Sequence, residues 1–131
     1  MIDDELLEAA RRVRAHAYAP YSHYAVGAAV RGASGRVYAG ANVENASYGL
    51  ALCAERSAVA AAVAAGEKSI TACAVITSTS PPAAPCGMCR QVLAEFGADA
   101  LPVALLNDRG ERQDTTLGAL LPHAFRRGAL P

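Results

Sequence analysis

The sequence has 131 residues, of which 53% are hydrophobic and 18% charged, and its 12 basic and 12 acidic side chains cancel. That length favours a single domain over residues 1–131, with enough apolar side chains for a sizeable core. Balanced charge disfavours nucleic acid and anionic membranes as partners, and no apolar run is long enough to cross a bilayer. The acidic start, Met1–Glu5, lacks the basic and apolar regions of a signal peptide, so we expect a cytoplasmic protein.

Three main helices are predicted from the spacing of apolar residues and from the residues that flank them. The first has apolar residues at helical spacing from Leu6 to Ala17 and is closed by Pro20. The second runs from Cys53 to Ala65, and because it is alanine-rich and apolar on most faces, we expect it to be buried. The third starts near Cys86 and stops at Gly97.

Five strands are predicted among these helices. They are short runs bounded by turn residues, and the last two flank the tight-turn signal Asn107–Gly110, which indicates an antiparallel return. Because helices and strands interleave, we expect an α/β fold, a three-layer α/β/α sandwich around a mixed five-stranded sheet whose last two strands are antiparallel. The predicted strands are Tyr24–Val30, Val37–Ala39, Thr71–Thr77, Val103–Leu106 and Glu111–Thr115.

The cysteines carry the most specific signal in the chain. Cys86 and Cys89 lie three positions apart at the start of the third helix, and Cys53 lies at the start of the second. Helix N-termini favour thiolate over thiol, so two such ends facing each other can assemble a metal site. Three protein ligands leave a fourth tetrahedral position for water, which distinguishes a catalytic zinc from a structural one. The pattern therefore predicts an open, hydrolytic zinc site.

Two charged residues follow Cys53 and indicate how such a site would work. Glu55 lies in the first turn of the helix and need not be a ligand, so its carboxylate is available to move protons between water and a substrate nitrogen. Three thiolates outweigh one zinc ion by one negative charge. We therefore predict that Arg56 hydrogen-bonds to ligand sulfurs and offsets that excess.

The cysteine pattern by itself leaves two other interpretations open. Cys86 and Cys89 could form a redox pair, although such a pair would not require the Cys-Ala-Glu sequence at 53–55. A closed structural zinc site would need Cys73 as its fourth ligand. Cys73 falls within a predicted strand, however, where a free cysteine is usually a small core residue.

Taken together, the motifs resemble those of a known family. Cys-Ala-Glu-Arg at 53–56 and Pro-Cys-Gly-Met-Cys-Arg-Gln at 85–91 are similar to the zinc-dependent cytidine deaminases of the small homotetrameric type. The resemblance implies one Zn²⁺ per subunit and hydrolytic deamination of cytidine and 2′-deoxycytidine in pyrimidine salvage. In that mechanism a zinc-bound hydroxide attacks C4 of the base while Glu55 shuttles protons. The similarity covers nearly the whole chain through further segments at 19–22, 26–29, 40–48 and 120–125.

The same resemblance implies a set of substrate-binding residues. Asn42 and Glu44 would hydrogen-bond the ribose 3′-hydroxyl, and the backbone N–H of Ala54 would bind the pyrimidine carbonyl. Phe125 would pack on the base from a neighbouring subunit, whereas without the resemblance core packing near the C-terminus is its favoured role. Tyr24 stands where the family commonly has Phe beside the nucleoside, so its hydroxyl needs a partner.

Three alternative functions remain open from the sequence. Blasticidin S-type deaminases resemble the chain in their cysteine motifs, but the Asn-Val-Glu-Asn segment at 42–45 favours a nucleoside substrate. A non-catalytic, zinc-stabilised binding module would have no use for Glu55 as a proton carrier. A polynucleotide-editing deaminase is disfavoured by the balanced charge.

Overall fold

The computed structural model describes residues 2–131. Within that range, no helix is both long and apolar enough to cross a membrane. Single turns of 3₁₀ helix lie at Tyr48–Leu50 and Arg127–Ala129. The helices and strands follow in the order α1 (Asp4–Arg14), β1 (Gly27–Gly32), β2 (Val37–Ala41), α2 (Ala54–Ala64), β3 (Ile70–Thr77), α3 (Gly87–Phe96), β4 (Pro102–Asn107), β5 (Arg112–Thr116) and α4 (Leu117–Leu120).

The five strands form one mixed sheet in the order β2-β1-β3-β4-β5. β3 and β4 are parallel, with Cys73 opposite Val103, whereas the other three pairings are antiparallel. A parallel pair needs a crossover connection, and α3 provides it. β4 returns to β5 through a tight turn in which Gly110 has a φ of 83°. The predicted fold class is confirmed, including the antiparallel last two strands.

The alternation of side chains along β3 shows how the three layers are held together. Cys73 and Val75 point to the face that α2 and α3 cover. Ala72, Ala74 and Ile76 point to the opposite face, where α1 packs. All five residues are buried, as expected when helices cover both faces of a sheet.

Helix α2 packs closely on the sheet because small residues face each other at the contact. Ala54, Ala58 and Ala62 are fully buried on its inner face. On β2, an added Cβ at Gly40 would lie 2.4 Å from the backbone nitrogen of Ala58 and 2.7 Å from the Cβ of Ser57. The N-terminal end of α2 is therefore positioned by close backbone contact with β2.

Helix α1 ends earlier than the apolar spacing predicted. It stops at Arg14 instead of continuing through Ala17. The reason is that the following residues pair with a loop: the N–H of Tyr18 donates to the carbonyl of Asn42 at 2.9 Å, and the carbonyl of Tyr18 accepts from the N–H of Glu44 at 2.8 Å. Strand-like bonding of this kind cannot continue a helix.

Candidate metal centre and active site

Three of the four cysteines meet at the N-termini of α2 and α3. Cys53 and Cys86 are the N-cap residues of these helices, and Cys89 lies in the first turn of α3. The Sγ of Cys86 lies 4.0 Å from that of Cys53 and 3.4 Å from that of Cys89, and all three sulfurs are within 4.8 Å of one another. Among residues 2–131 this is the one group of three or more His, Cys, Asp or Glu side chains with metal-ligand spacing.

These sulfur separations fit a zinc ion. Tetrahedral zinc with Zn–S bonds of about 2.3 Å places two sulfur ligands roughly 3.8 Å apart. The two distances from Cys86 lie on either side of that value. Soft thiolate donors also suit zinc. Three such donors leave one tetrahedral position open, and Cys53 and Cys86 both face a cavity.

Cys73 does not join the cluster. It is fully buried in β3 among the apolar residues beneath α2, opposite Val103 of β4. Burial raises the pKa of its thiol, which keeps the group neutral. Cys73 is therefore a core residue, as predicted from its place in a strand, and it supplies no fourth ligand.

The three clustered thiols differ in their electrostatic surroundings. Burial raises the pKa values of Cys53 and Cys89. At Cys86 burial also acts to raise the pKa. It is outweighed by hydrogen bonds from the backbone N–H groups of Cys89 and Met88 and from the neighbouring thiols, so the pKa of Cys86 is lowered. The backbone N–H groups at the start of α3 therefore favour the thiolate of Cys86.

Glu55 is the buried carboxylate of this region. It lies in the first turn of α2 and is only 5% exposed. Together with Cys53 and Cys86 it lines a cavity of about 220 Å³. Burial raises the pKa of the Glu55 carboxyl group. A raised pKa brings the carboxyl group closer to neutral pH, where it can both accept a proton and return it.

The same cavity collects most of the residues that the sequence singled out. Val75 and Thr77 of β3 and Ala83 and Ala84 of the following loop also line it, and sequence analysis missed them. Thr77 alone carried a signal, as a polar residue that ends an apolar strand. The predicted site residues on the wall are Tyr24, Asn42, Cys53, Ala54, Glu55 and Cys86.

Asn42 is fixed at the cavity wall by its own side chain. Its Oδ1 accepts a hydrogen bond from the N–H of Val26 at 2.9 Å, and its Nδ2 donates to the carbonyl of Tyr24 at 2.7 Å. These bonds replace strand pairing there, which explains why β1 begins at Gly27 instead of at Tyr24 as predicted. One lone pair of Oδ1 remains available to a ligand hydroxyl.

Glu44 lines a different pocket. Its carboxylate accepts hydrogen bonds from the Ser22 hydroxyl and from the N–H groups of Tyr21 and Ser22 at 3.0 and 3.1 Å. The hydroxyl of Ser22 is the main cause of a lowered pKa at Glu44. Tyr48 also lines this second pocket. Asn42 and Glu44, which the resemblance assigns to one ribose hydroxyl, thus face separate pockets in the isolated chain.

Arg56 lies beside the first cysteine of the cluster. Its guanidinium donates to the carbonyl of Ala51 at 2.9 Å and lies 4.0 Å from the Sγ of Cys53. The Nε atom of Arg56 is buried and has no hydrogen-bond partner among the described residues. The geometry therefore places a positive charge next to one sulfur of the cluster.

Phe125 lies outside the cavity and outside the core. Its side chain is largely exposed, at 61%. Its backbone carbonyl accepts a hydrogen bond from the side-chain amide of Gln91 on α3 at 2.8 Å. Core packing, the role that the sequence alone favoured for Phe125, is therefore wrong for this chain, and the ring is free to contact another molecule.

Comparison with known proteins places this arrangement in a family. A family model described as the cytidine and deoxycytidylate deaminase zinc-binding region matches residues 1–105. The chain belongs to this deaminase family. The match includes Cys53, Glu55, Cys86 and Cys89, whereas Phe125 lies beyond it.

Individual relatives in the deaminase family are similar over most of their length. A cytidine deaminase from Sporosarcina psychrophila is 44% identical over 124 residues, which cover 95% of this chain and 91% of the relative. Another, from Halalkalibacterium halodurans, is 47% identical over 120 residues, or 92% and 91% of the two chains. The crystal structure of cytidine deaminase from Burkholderia pseudomallei superposes with a TM-score of 0.90 at 50% identity, covering 95% of this chain and 100% of that one. The prediction of a deaminase-family enzyme is confirmed.

Proposed function

We propose that the protein catalyses the zinc-dependent hydrolytic deamination of cytidine and 2′-deoxycytidine to uridine and 2′-deoxyuridine, as a cytoplasmic enzyme of pyrimidine salvage. One observation carries this proposal: the buried carboxylate of Glu55 shares a small cavity with Cys53 and Cys86. The relatives named cytidine deaminase match nine-tenths or more of the chain, which supports the same reaction here.

Cys53, Cys86 and Cys89 would hold one Zn²⁺ per subunit, because their sulfurs already have the spacing of tetrahedral ligands. Bound zinc would supply Lewis-acid activation of the water that is consumed in the reaction. The first-turn N–H groups of α2 and α3 stabilise the thiolates. Arg56, 4.0 Å from the Sγ of Cys53, would offset part of the excess negative charge.

The side chains around the open position would orient the substrate and move its protons. Glu55 would pass one proton of the attacking water to the ring nitrogen, where it stays in the product, and the second to the amine, because the amine leaves as ammonia only after protonation. The backbone N–H of Ala54, at the start of α2, has no partner within the helix and would bind the pyrimidine carbonyl. Asn42 would contact the ribose 3′-hydroxyl. The family resemblance gives Glu44 the same partner, although in the isolated chain Glu44 lines the neighbouring pocket.

We also propose that the working enzyme is a homotetramer whose active sites are shared between subunits. The exposed ring of Phe125 would pack on a base bound by a neighbouring subunit. Large exposed apolar side chains on the loops before β1 and α2 support an interface, because contiguous apolar surface is normally covered by a partner. These side chains are Tyr18, Tyr21, Val43, Tyr48 and Leu50.

The deciding experiment monitors ultraviolet absorbance with cytidine, 2′-deoxycytidine, cytosine and blasticidin S as substrates. We expect the wild-type protein to turn over both nucleosides. Glu55→Gln should lower kcat by roughly 10²- to 10⁴-fold, the usual contribution of general acid–base catalysis, without loss of zinc. Glu95→Gln, the same change at an exposed position of α3, is the matched control.

The other outcomes each identify a different function. Turnover of blasticidin S without turnover of either nucleoside would indicate a blasticidin-type deaminase. A protein that binds zinc but turns over none of the substrates, with or without Glu55, would be a binding module. Deamination of cytosine in single-stranded oligonucleotides would indicate an editing enzyme.

A further inference from the structure

We propose that the phenol hydroxyl of Tyr24 hydrogen-bonds to a sugar hydroxyl of the bound nucleoside, next to the hydroxyl at Asn42, and thereby favours substrates that carry it. The inference rests on the proposed function, because it requires a nucleoside in the cavity that Tyr24 and Glu55 both line. It adds a determinant of sugar specificity to that function.

Most polar side chains on the cavity wall already have partners within the chain. The hydroxyl of Thr77 lies 3.0 Å from that of Thr79. The amide of Asn42 is bonded at both ends to backbone groups. The sulfurs of Cys53 and Cys86 belong to the metal cluster. Apart from the Oδ1 lone pair of Asn42 that is assigned to the ribose 3′-hydroxyl, these groups are engaged within the chain or in the metal cluster.

Tyr24 differs from these other residues of the cavity wall. Within the described part of the chain, it makes hydrogen bonds only through its backbone. Its N–H donates to the hydroxyl of Ser22 at 3.0 Å, and its carbonyl accepts from Asn42 at 2.7 Å. Both ends of the residue are thus held in place while the phenol hydroxyl is left without a partner inside the chain. A hydroxyl held in this way is available to a ligand in the cavity.

The position of Tyr24 assigns it to the sugar end of the cavity. Glu55 and Cys53 mark the end where the reacting amine of the base must lie. Tyr24 is bonded directly to Asn42, the residue proposed to contact the ribose. The side chain is half-buried and packs against the core beneath α2, so the ring is held in place at the wall of the cavity that Tyr24 lines.

The chemistry of a phenol matches that of a sugar hydroxyl. Each group can donate one hydrogen bond and accept others, so the pair is compatible in either direction. A site built to bond a substrate hydroxyl discriminates against the analogue that lacks it, because the protein group is then left unpaired. A phenylalanine at position 24 would keep the packing and lose this discrimination.

The test removes a single oxygen atom. For wild type and Tyr24→Phe, kcat/KM is measured on cytidine, 2′-deoxycytidine and 5′-deoxycytidine. We expect the value for cytidine to fall roughly 2- to 10-fold in Tyr24→Phe, the effect of one net hydrogen bond. The deoxynucleoside that lacks the contacted hydroxyl should show no change, which identifies that hydroxyl as the 2′ or the 5′ group. Tyr38→Phe, which removes a phenol hydroxyl that lies outside the cavity and is bonded to Glu67, should leave all three values unchanged.

Two results would overturn the inference. One is an unchanged kcat/KM for Tyr24→Phe on all three substrates. The other is an equal loss on all three at an unchanged melting temperature, which would show that the phenol contacts neither the 2′- nor the 5′-hydroxyl. If wild type itself turns over no nucleoside, the proposed function fails, and that result is distinct from both.

Discussion

The side-chain amide of Gln91 donates a hydrogen bond to the backbone carbonyl of Phe125 at 2.8 Å. Gln91 lies on α3, the helix that carries two of the clustered cysteines, so the bond joins the metal site to the C-terminal segment. The adjacent Arg90 bonds the carbonyl of Pro85 at 2.7 Å and that of Leu120 at 2.6 Å. Helix α3 therefore holds the C-terminal segment through both Arg90 and Gln91, while Arg90 also holds the loop before Cys86.

Gln91→Ala is expected to lower kcat/KM for cytidine roughly 2- to 10-fold, because the position of Phe125 then rests on one bond fewer. The loss should appear mainly in KM, with zinc content unchanged. Steady-state kinetics of Gln91→Ala, Phe125→Ala and the double variant make up the measurement. If Gln91 acts through Phe125, the double variant is no worse than Phe125→Ala alone, whereas additive losses would separate the two residues.

Arg56→Gln is expected to weaken zinc binding by about 10- to 100-fold, the usual effect of removing a group that supports a metal ligand. The physical reason is that a neutral amide does not offset the charge of the thiolate at Cys53. Competition with a chelator measures the affinity. Arg56→Lys keeps the charge without the planar guanidinium, so we expect an intermediate affinity. Equal zinc affinity and an unchanged pH dependence of turnover in Arg56→Gln would rule out this role.

Gly40→Ala is expected to destabilise the fold by about 1–3 kcal/mol, the cost of overpacking a close contact. The added methyl would lie 2.4 Å from the backbone of Ala58, so α2 would have to move away from β2. Gly128→Ala is the control, because an added Cβ there has no neighbour within 4 Å. Urea denaturation of both variants decides the point, and equal stabilities would mean that the contact is not tight.

Glu67 links the β1–β2 hairpin to the end of α2 and should make stability depend on pH. Its carboxylate accepts from the hydroxyl of Ser34, from the N–H of Ser34 at 3.2 Å and from the hydroxyl of Tyr38 at 2.8 Å. These bonds, that from the Ser34 hydroxyl above all, lower its pKa. A lowered folded-state pKa contributes stability that is complete above the unfolded-state pKa and is lost as the pH falls through the folded-state value.

We therefore expect Glu67→Gln to be less stable than wild type near neutral pH, with a difference that shrinks below about pH 4.5, where glutamate begins to protonate in the unfolded chain. Urea denaturation at a series of pH values measures the difference. Ser34→Ala, which removes the strongest donor to Glu67, should show the same trend with a smaller amplitude. A difference that stays constant down to about pH 3 would contradict the assignment.

The cysteines and Glu55 could be predicted from the sequence because they form two pairs, each of which is held together by local helix geometry. Cys53 and Glu55 lie within one helical turn, and Cys86 and Cys89 lie within another. A helix of standard geometry holds each pair together wherever it packs. What remained to be inferred was that the two helix ends face each other, and the parallel pairing of β3 with β4 brings this about.

The rest of the site depends on contacts that no local pattern encodes. Val75 and Thr77 line the cavity because of the register of β3, and a slip of one residue would turn both to the side of α1. The exposed Phe125 lies in a segment whose backbone is held by Gln91, which is 34 positions away in the sequence. The boundary of β1 depends on the side chain of Asn42, since its bonds to the segment before β1 replace strand pairing.

The alanine face of α2 restricts which substitutions the helix can accept. Ala54, Ala58 and Ala62 bring the helix backbone against the sheet, so Cys53 and Glu55 move with the helix as one body. A larger apolar residue at Ala62 would be equally hydrophobic, but it would shift α2 and so displace Cys53, the proposed metal ligand, and Glu55, the proposed proton carrier, about two turns away. Substitutions on this buried face are therefore constrained by the position of the proposed active site as well as by stability.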